Sequence, residues 1–169
     1  VIIFSSRSEI DPLHVGNNKA QVYLRNRSDG SYILLSTSVD GTTAANDNTN
    51  SEHVSSSGRY VLMITRADNL SLDGLNNGGD NLIMLDWLND ARTLINITPG
   101  GVSSSDTEFG GWDGQVSNEG TVVFTSKQSD LVLGDTNNHG DVFWYDSGTI
   151  TRINVDAMGN QLINGGYNT

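Results

Sequence analysis

The chain has 169 residues, of which 36% are hydrophobic, so it is long enough to bury a core as one domain. Acidic residues outnumber basic ones 20 to 9, and the formal net charge of −11 argues against nucleic acid as a partner and favours cations or basic partners. There are no cysteines, which excludes disulfides, thiolate catalysis and cysteine-based metal sites.

No apolar stretch approaches the roughly 18 residues that span a bilayer, so no membrane insertion is expected. The sequence starts at Val1, inside an apolar β-prone run, and lacks the basic and long apolar regions of a signal peptide. We interpret it as a processed or excised part of a longer protein. Abundant Gly, Asn, Asp, Ser and Thr with few lysines favour a turn-rich β protein outside the cytoplasm, whether secreted, periplasmic or on the cell surface.

Three apolar runs share one pattern, in which a β-prone segment is followed by a small polar residue and a basic residue. They are VIIFSSR, YVLMITR and TVVFTSK. The equivalent large residues in these runs are Phe4, Met63 and Phe124, which are 59 and 61 residues apart. A fixed spacing of about 60 residues indicates an internal repeat.

A second run follows in each unit, as QVYLR, NLIMLD and DVFWYD, and a third as YILL, TLIN and ITRIN. The second runs align at Val22, Leu82 and Val142, which are 60 residues apart both times. Ser-x-x-Gly sequences that end at Gly58 and Gly120 predict tight turns into the first runs. Each unit is therefore predicted to hold four short strands, an inner one and three that meander outward.

The fold class that this pattern predicts is all-β, as a β-propeller of three tandem four-stranded blades. The units are 1–53, 54–115 and 116–169, and the first lacks its inner strand. Closed propellers have about four to eight blades, so we expect a larger ring or a ring completed by oligomerisation. A β-sandwich whose strands recur by chance is the alternative, and a β-solenoid would have shorter repeats.

The sequence resembles the TolB-type propeller repeats of secreted bacterial proteins. The resemblance rests on the Ser-x-x-Gly turn, the run TVVFTS, the loop SDLVLGDTNNHGD and the run DVFWYD, and it is clearest over residues 116–154. The corresponding loops of the first two units depart from the pattern. The resemblance implies a propeller fold but little about activity, because this scaffold serves binding modules, lyases, peptidase accessory domains and assembly factors alike.

One loop predicts a metal site. Asp135, Asn137 and Asp141 in GDTNNHGD place oxygen ligands at short spacing in a glycine-bearing loop, as Ca²⁺ requires. The loop is not an EF-hand, because His139 stands at the third acid position. In the alternative interpretation, Asp135 and Asn137 cap a turn through side chain to backbone hydrogen bonds.

The loops between units hold the other candidates, which would bind a ligand. Asp106 and Glu108 lie in a Ser-rich loop, and Asp40, Asp47 and Glu52 lie in the corresponding loop of the first unit. Paired carboxylates could cleave a glycosidic bond. The alternative is that these are solvated acids of an acidic protein.

Aromatic and histidine residues complete the candidates. Trp112 and Tyr167 precede inner strands and could stack on a sugar, or could instead wedge between blades, as we also expect of Trp87 and Trp144. The three histidines share no metal-binding spacing, and each is expected to be a surface or loop residue. They are His14, His53 and His139.

Three functions follow as hypotheses. The first is a non-catalytic binding or structural propeller of an exported protein, which contacts a glycan or a protein through its blade-connecting loops. The second is part of a polysaccharide-degrading lyase or hydrolase, and the third is a chain that self-assembles by blade association into a homo-oligomer. The sequence favours a non-enzymatic role because it carries no catalytic signature.

Overall fold

The computed structural model describes residues 1–70, 78–107, 110 and 113–166. Within these residues the protein consists of strands, turns and loops without any helix, which confirms the predicted all-β class. It follows that no helix in this part of the chain could cross a membrane.

The strands form three antiparallel sheets in which strands adjacent in sequence pair with each other. Sheet 1 contains β1 (Ile2–Ser6), β2 (Gln21–Arg25) and β3 (Tyr32–Leu34). Sheet 2 contains β4 (Thr49–Val54), β5 (Tyr60–Thr65), β6 (Asn81–Asp86) and β7 (Ala91–Leu94). Sheet 3 contains β8 (Gln115–Val116), β9 (Val122–Ser126), β10 (Asp141–Asp146) and β11 (Thr149–Arg152).

The repeat in the sequence is a repeat in register. The large residues of the first runs all face the third residue of the following long strand: Phe4 pairs with Tyr23, Met63 with Ile83, and Phe124 with Phe143. The unit boundaries drawn from the sequence differ from the sheet limits, since β4 begins at Thr49 and β8 at Gln115. The segment TNSEHV of β4 is polar up to its last residue, Val54, and carries none of the apolar alternation that marks a strand in sequence.

Hydrophobic side chains hold the sheets face to face. Side chains alternate between the two faces of a strand, so sheet 2 presents an apolar surface on both sides. Val61, Met63, Ile83 and Leu85 pack with Val22 and Leu24 of sheet 1. On the opposite face, Leu62, Ile64, Leu82 and Met84 pack with Val122, Phe124, Phe143 and Tyr145 of sheet 3. Sheet 2 is therefore the buried middle layer.

The predicted Ser-x-x-Gly turns are confirmed. Gly58 donates its N–H to the carbonyl of Ser55 at 2.8 Å, and Gly120 donates to that of Ser117 at 3.4 Å. Both glycines have positive φ, 77° and 83°, which other residues adopt only with strain. Each turn joins the first strand of its sheet to the second.

A polar pair recurs at the start of β2, β6 and β10, one strand of each sheet, and it is buried in sheets 1 and 2 and partly buried in sheet 3. We call these the strand-start pairs: Gln21 with Ser36, Asn81 with Asn96, and Asp141 with Asn154. In each pair the later residue also accepts the N–H of the strand's second residue, at 3.0 Å from Val22, 2.9 Å from Leu82 and 2.9 Å from Val142. The pairs thus fix the point at which the chain leaves each sheet.

Beyond these pairs, the loop that follows sheet 1 contacts sheet 2, and the loop that follows sheet 2 contacts sheet 3, through one repeated contact. The Asn46 N–H donates to Asn69 Oδ1 at 3.0 Å, and the Ser105 N–H donates to Asp130 Oδ2 at 2.8 Å. We call these two contacts the junction contacts. Both link the loop after one sheet to the loop after the second strand of the next sheet.

Asn96→Ala tests the strand-start pair of sheet 2. The substitution deprives three buried groups of their hydrogen-bond partner: the Leu82 N–H, the Asn81 side chain and the Gln128 side chain. We therefore expect the free energy of unfolding to fall by about 2–4 kcal/mol. Urea unfolding measures this change. Asn160→Ala, in an exposed turn, is the matched control and should cost less than about 1 kcal/mol. Equal losses in the two variants would contradict a stabilising role for the pair.

Candidate functional site

The first strands of sheets 2 and 3, β4 and β8, lie against each other. The imidazole of His53 on β4 accepts the Val116 N–H of β8 at Nδ1, 3.2 Å away. Just before β8 the backbone passes so close to β5 that a Cβ at Gly114 would lie 2.5 Å from Leu62 Cδ2. Glycine at this position permits the close approach and brings the neighbouring Asp113 to the side of β4.

Glu52 occupies an irregular point in β4. The register with β5 shifts there, since Ser51 pairs with Met63 while His53 pairs with Leu62, which leaves Glu52 as the extra residue. A β-bulge of this kind redirects a side chain and is common beside functional sites. The sequence places Glu52 in a predicted loop. This prediction is wrong, because Glu52 belongs to the strand Thr49–Val54.

The carboxyl group of Glu52 has an unusual acidity. Burial disfavours its charged form, and the nearby negative charge of Asp113 disfavours it further, so together they raise the pKa of Glu52 to about 7. Among the described residues no basic side chain forms an ion pair with it. Glu52 therefore exchanges its proton close to neutral pH, and strongly perturbed carboxyl groups of this kind are enriched at functional sites.

The other acids of the same segment are committed to local structure. Asp40 accepts hydrogen bonds from Ser38 and from the amide and hydroxyl of Thr42, which lower its pKa to about 2. Asp47 accepts from Lys19 Nζ at 2.9 Å, and this bond is the main cause of its lowered pKa. These carboxylates are held ionised, unlike Glu52.

Of the four residues predicted to bind a ligand, the structure describes one. Asp106 Oδ2 accepts from the backbone N–H and the hydroxyl of Ser129, both at 3.1 Å, while its carbonyl accepts from Gln128 Nε2 at 2.8 Å. These contacts tie the loop of sheet 2 to sheet 3. Glu108, Trp112 and Tyr167 lie outside the described residues.

Two of the predicted calcium ligands face a single amide group. Gln161 Nε2 donates to Asp135 Oδ1 at 2.7 Å and to Asp141 Oδ2 at 3.0 Å, so its nitrogen bridges the two carboxylates. Asp141 also accepts from Asn154 Nδ2 at 2.6 Å and lies 3.4 Å from Arg152 Nη1. Burial raises the pKa of Asp135, in spite of the bond from Gln161.

The third predicted ligand, Asn137, takes part in a turn. Its Oδ1 accepts the His139 N–H at 2.9 Å, and its Nδ2 donates to the carbonyl of Leu162 at 2.8 Å. This is the capping arrangement that the sequence allowed as the alternative. Across the described part of the chain no three His, Asp or Glu side chains cluster as metal ligands would, and calcium stays a prediction.

The first histidine lies in a loop, as the sequence analysis allowed, but it is buried there and not at the surface. His14 is fully buried, and its Nδ1 lies 2.5 Å from the hydroxyl of Tyr23, whose pKa burial raises. His139 is exposed in its loop, and His53 lies in β4. The burial of His14 follows from the large Tyr23 ring beneath it, a tertiary contact that spacing along the chain does not reveal.

Neither a family model nor a curated protein matches the sequence. Four solved chains match in structure, among them the crystal structure of TolB from Acinetobacter baumannii. That match has a TM-score of 0.47 at 15% sequence identity and covers 82% of this chain and 27% of that chain. The present chain thus spans about a quarter of the length of that protein.

A titration tests the acidity of Glu52. We expect its side-chain carboxyl, followed by ¹³C NMR, to titrate near pH 7, and we expect Asp113→Asn to lower that midpoint because it removes the neighbouring negative charge. The same carboxyl in the urea-unfolded protein is the reference, and a folded-state midpoint of Glu52 equal to that reference would contradict the assignment.

The same shift predicts a pH dependence of stability. Between pH 4.5 and about 7 the folded protein binds more protons at Glu52 than the unfolded chain does, so the free energy of unfolding falls as pH rises through this window. Glu52→Gln cannot ionise and should lack this part of the decline. Urea unfolding at a series of pH values measures the difference, and parallel profiles for the variant and the unmodified protein would contradict it.

Proposed function

We propose that the protein is a non-catalytic binding module with a β-propeller architecture, in which the three sheets are blades. β4 and β8 would be the inner strands, and the proposed contact site is the place where they meet. Propellers bind ligands where inner strands and blade-connecting loops converge, and this supports the choice of site. An exported protein fits the turn-rich, lysine-poor composition.

The observation that carries this proposal is the carboxyl pair of Glu52 and Asp113. Burial and the neighbouring acid raise the pKa of Glu52 to about 7, so its ionised form is unfavourable in the free protein. A bound cationic group would stabilise that ionised form. The net charge of −11 supports the same choice, because a negative field attracts basic partners over a distance. A basic segment of a protein, or a glycan that carries amino groups, supplies the required chemistry.

A binding screen tests the proposal. The probes are lysine- and arginine-containing peptides and a set of amino-sugar, neutral and acidic oligosaccharides, measured by calorimetry at pH 8. We expect a cationic probe to bind, and Glu52→Gln to weaken its binding at least about tenfold, because the charge partner is lost. Glu119→Gln makes the same chemical change at an exposed turn and should leave affinity unchanged. Binding of anionic probes alone, or equal affinity in both variants, would contradict the proposal.

The same pair favours a second candidate, a polysaccharide-cleaving propeller enzyme. A carboxyl with a pKa of about 7 can donate a proton to a leaving oxygen, and an ionised neighbour can act as base or nucleophile. Under this alternative Glu52→Gln would abolish turnover of an oligosaccharide without unfolding the protein. Under the binding proposal no member of the panel is cleaved.

Calcium is proposed as the ion at Asp135, Asn137 and Asp141, for which the side chain of Gln161 would have to turn away. If calcium binds there, millimolar CaCl₂ should raise the melting temperature by several degrees over chelator, since a ligand of the folded state stabilises it. Asp135→Asn should reduce that rise. An unchanged melting temperature in chelator would exclude this ion.

A further inference from the structure

Among the sheets that the described residues form, two faces lack a neighbouring sheet, and they are not equivalent. The sheet-1 outer face is the side of sheet 1 turned away from sheet 2, and it carries Ile2 and Phe4. The sheet-3 outer face is the side of sheet 3 turned away from sheet 2, and it carries Val123 and Trp144. Because the sheets repeat in register, each face has a counterpart inside the molecule whose partner is known.

The counterparts on the sheet-3 side are buried. Trp144 is 42% exposed, whereas Leu24 and Met84 at the same register positions of sheets 1 and 2 are 1% and 8% exposed, because each is covered by the following sheet. The exposed part of the tryptophan ring is apolar surface, and its contact with water is unfavourable in free energy.

The counterparts on the sheet-1 side are also buried. Ile2 is 47% exposed, while Val61 and Val122 at its register positions are both fully buried by the preceding sheet. The two outer faces are therefore the two halves of a junction that already occurs twice within the chain. The sheet-3 outer face corresponds to the side that the following sheet covers in sheets 1 and 2. The sheet-1 outer face corresponds to the side that the preceding sheet covers in sheets 2 and 3.

The junction contacts indicate which residues would meet if the two outer faces came together. In the two internal junctions this contact is polar, between Asn46 and Asn69 and between Ser105 and Asp130. Counting from the aligned isolated bridges of the three loops, the equivalent of Asn46 and Ser105 in sheet 3 is Ile163. Counting from the aligned strand ends, the equivalent of Asn69 and Asp130 in sheet 1 is Ile10.

The two internal contacts join a backbone N–H at the first position to a side-chain oxygen at the second, whereas the third contact has isoleucine, with no side-chain acceptor, at both positions. Ile163 is 84% exposed and Ile10 is 37% exposed, on opposite ends of the molecule. Either isoleucine alone would be an ordinary surface residue. Two isoleucines at the two positions that the repeat brings into contact are complementary only if the sheet-3 end meets the sheet-1 end of this same sequence.

We propose that the sheet-3 outer face of one chain packs against the sheet-1 outer face of a second copy, with Ile163 against Ile10 and Trp144 covered by the first strand of the partner. Such contacts are heterologous, since two different surfaces meet, and they close into a ring or extend head to tail. The contact does not depend on the binding role proposed above, because neither face includes Glu52 or Asp113.

The test measures association by sedimentation velocity across micromolar concentrations, with Ile163→Asp and Ile10→Asp as the variants. The unmodified chain should self-associate. Each variant should raise the dissociation constant at least about tenfold, because a charge enters an apolar contact. Leu88→Asp is the matched control, since Leu88 is 61% exposed in the turn after β6 and lies on neither outer face, and it should associate as the unmodified chain does.

A mixture of the two variants separates this proposal from other modes of association. Each variant keeps one intact face, so the Ile10→Asp chain offers a sheet-3 face that fits the sheet-1 face of the Ile163→Asp chain, and the mixture should form a 1:1 complex that neither variant forms with itself. A two-fold symmetric contact would give no such recovery. A monomeric unmodified chain at every concentration, or a mixture that stays monomeric, overturns the proposal.

Discussion

The strand-start pairs are the contacts on which the rest of this structure depends. At the start of β2, β6 and β10 a backbone N–H would otherwise lack a partner, and a side chain from the segment after the last strand of the same sheet accepts it. A buried, unpaired amide costs about 1–3 kcal/mol, so the pair fixes both the strand and the segment that supplies the acceptor. That segment then crosses to the next sheet, where it makes the junction contact and continues into the next first strand.

The stacking of sheets follows from this local rule. Because every loop leaves its sheet at the same point, every sheet meets the next in the same register, and apolar residues at equal positions face each other twice. The residues of the proposed contact site lie where this regularity is interrupted. β4 bulges at Glu52, Gly114 lets the following segment pass close to β5, and the resulting pair of acids lies where two sheets adjoin. The open ends show a further interruption, since Ile163 and Ile10 replace polar junction residues.

The spacing of apolar residues predicts most of the strands, but the polar contacts between distant residues have no signal in the sequence. The nine strands of the apolar runs and both Ser-x-x-Gly turns were accessible, because β-branched runs between turn residues are a local signal. The extent of β4 was not, since a polar strand held by its neighbours has no periodic signal. The strand-start pairs also escaped notice, because Gln with Ser, Asn with Asn and Asp with Asn share geometry but no residue identity. The role of Asp113 has no sequence signal either, because its proximity to Glu52 is a tertiary contact.

Amide hydrogen exchange, followed by NMR, is the most direct measurement of the role assigned to the strand-start pairs. If side chains at these positions hold the sheets, the amides of Val22, Leu82 and Val142 exchange only through global unfolding, at one common free energy. Exchange of these three amides as fast as that of Gly101 and Gly159, in the exposed turns beyond the pairs, would contradict the account.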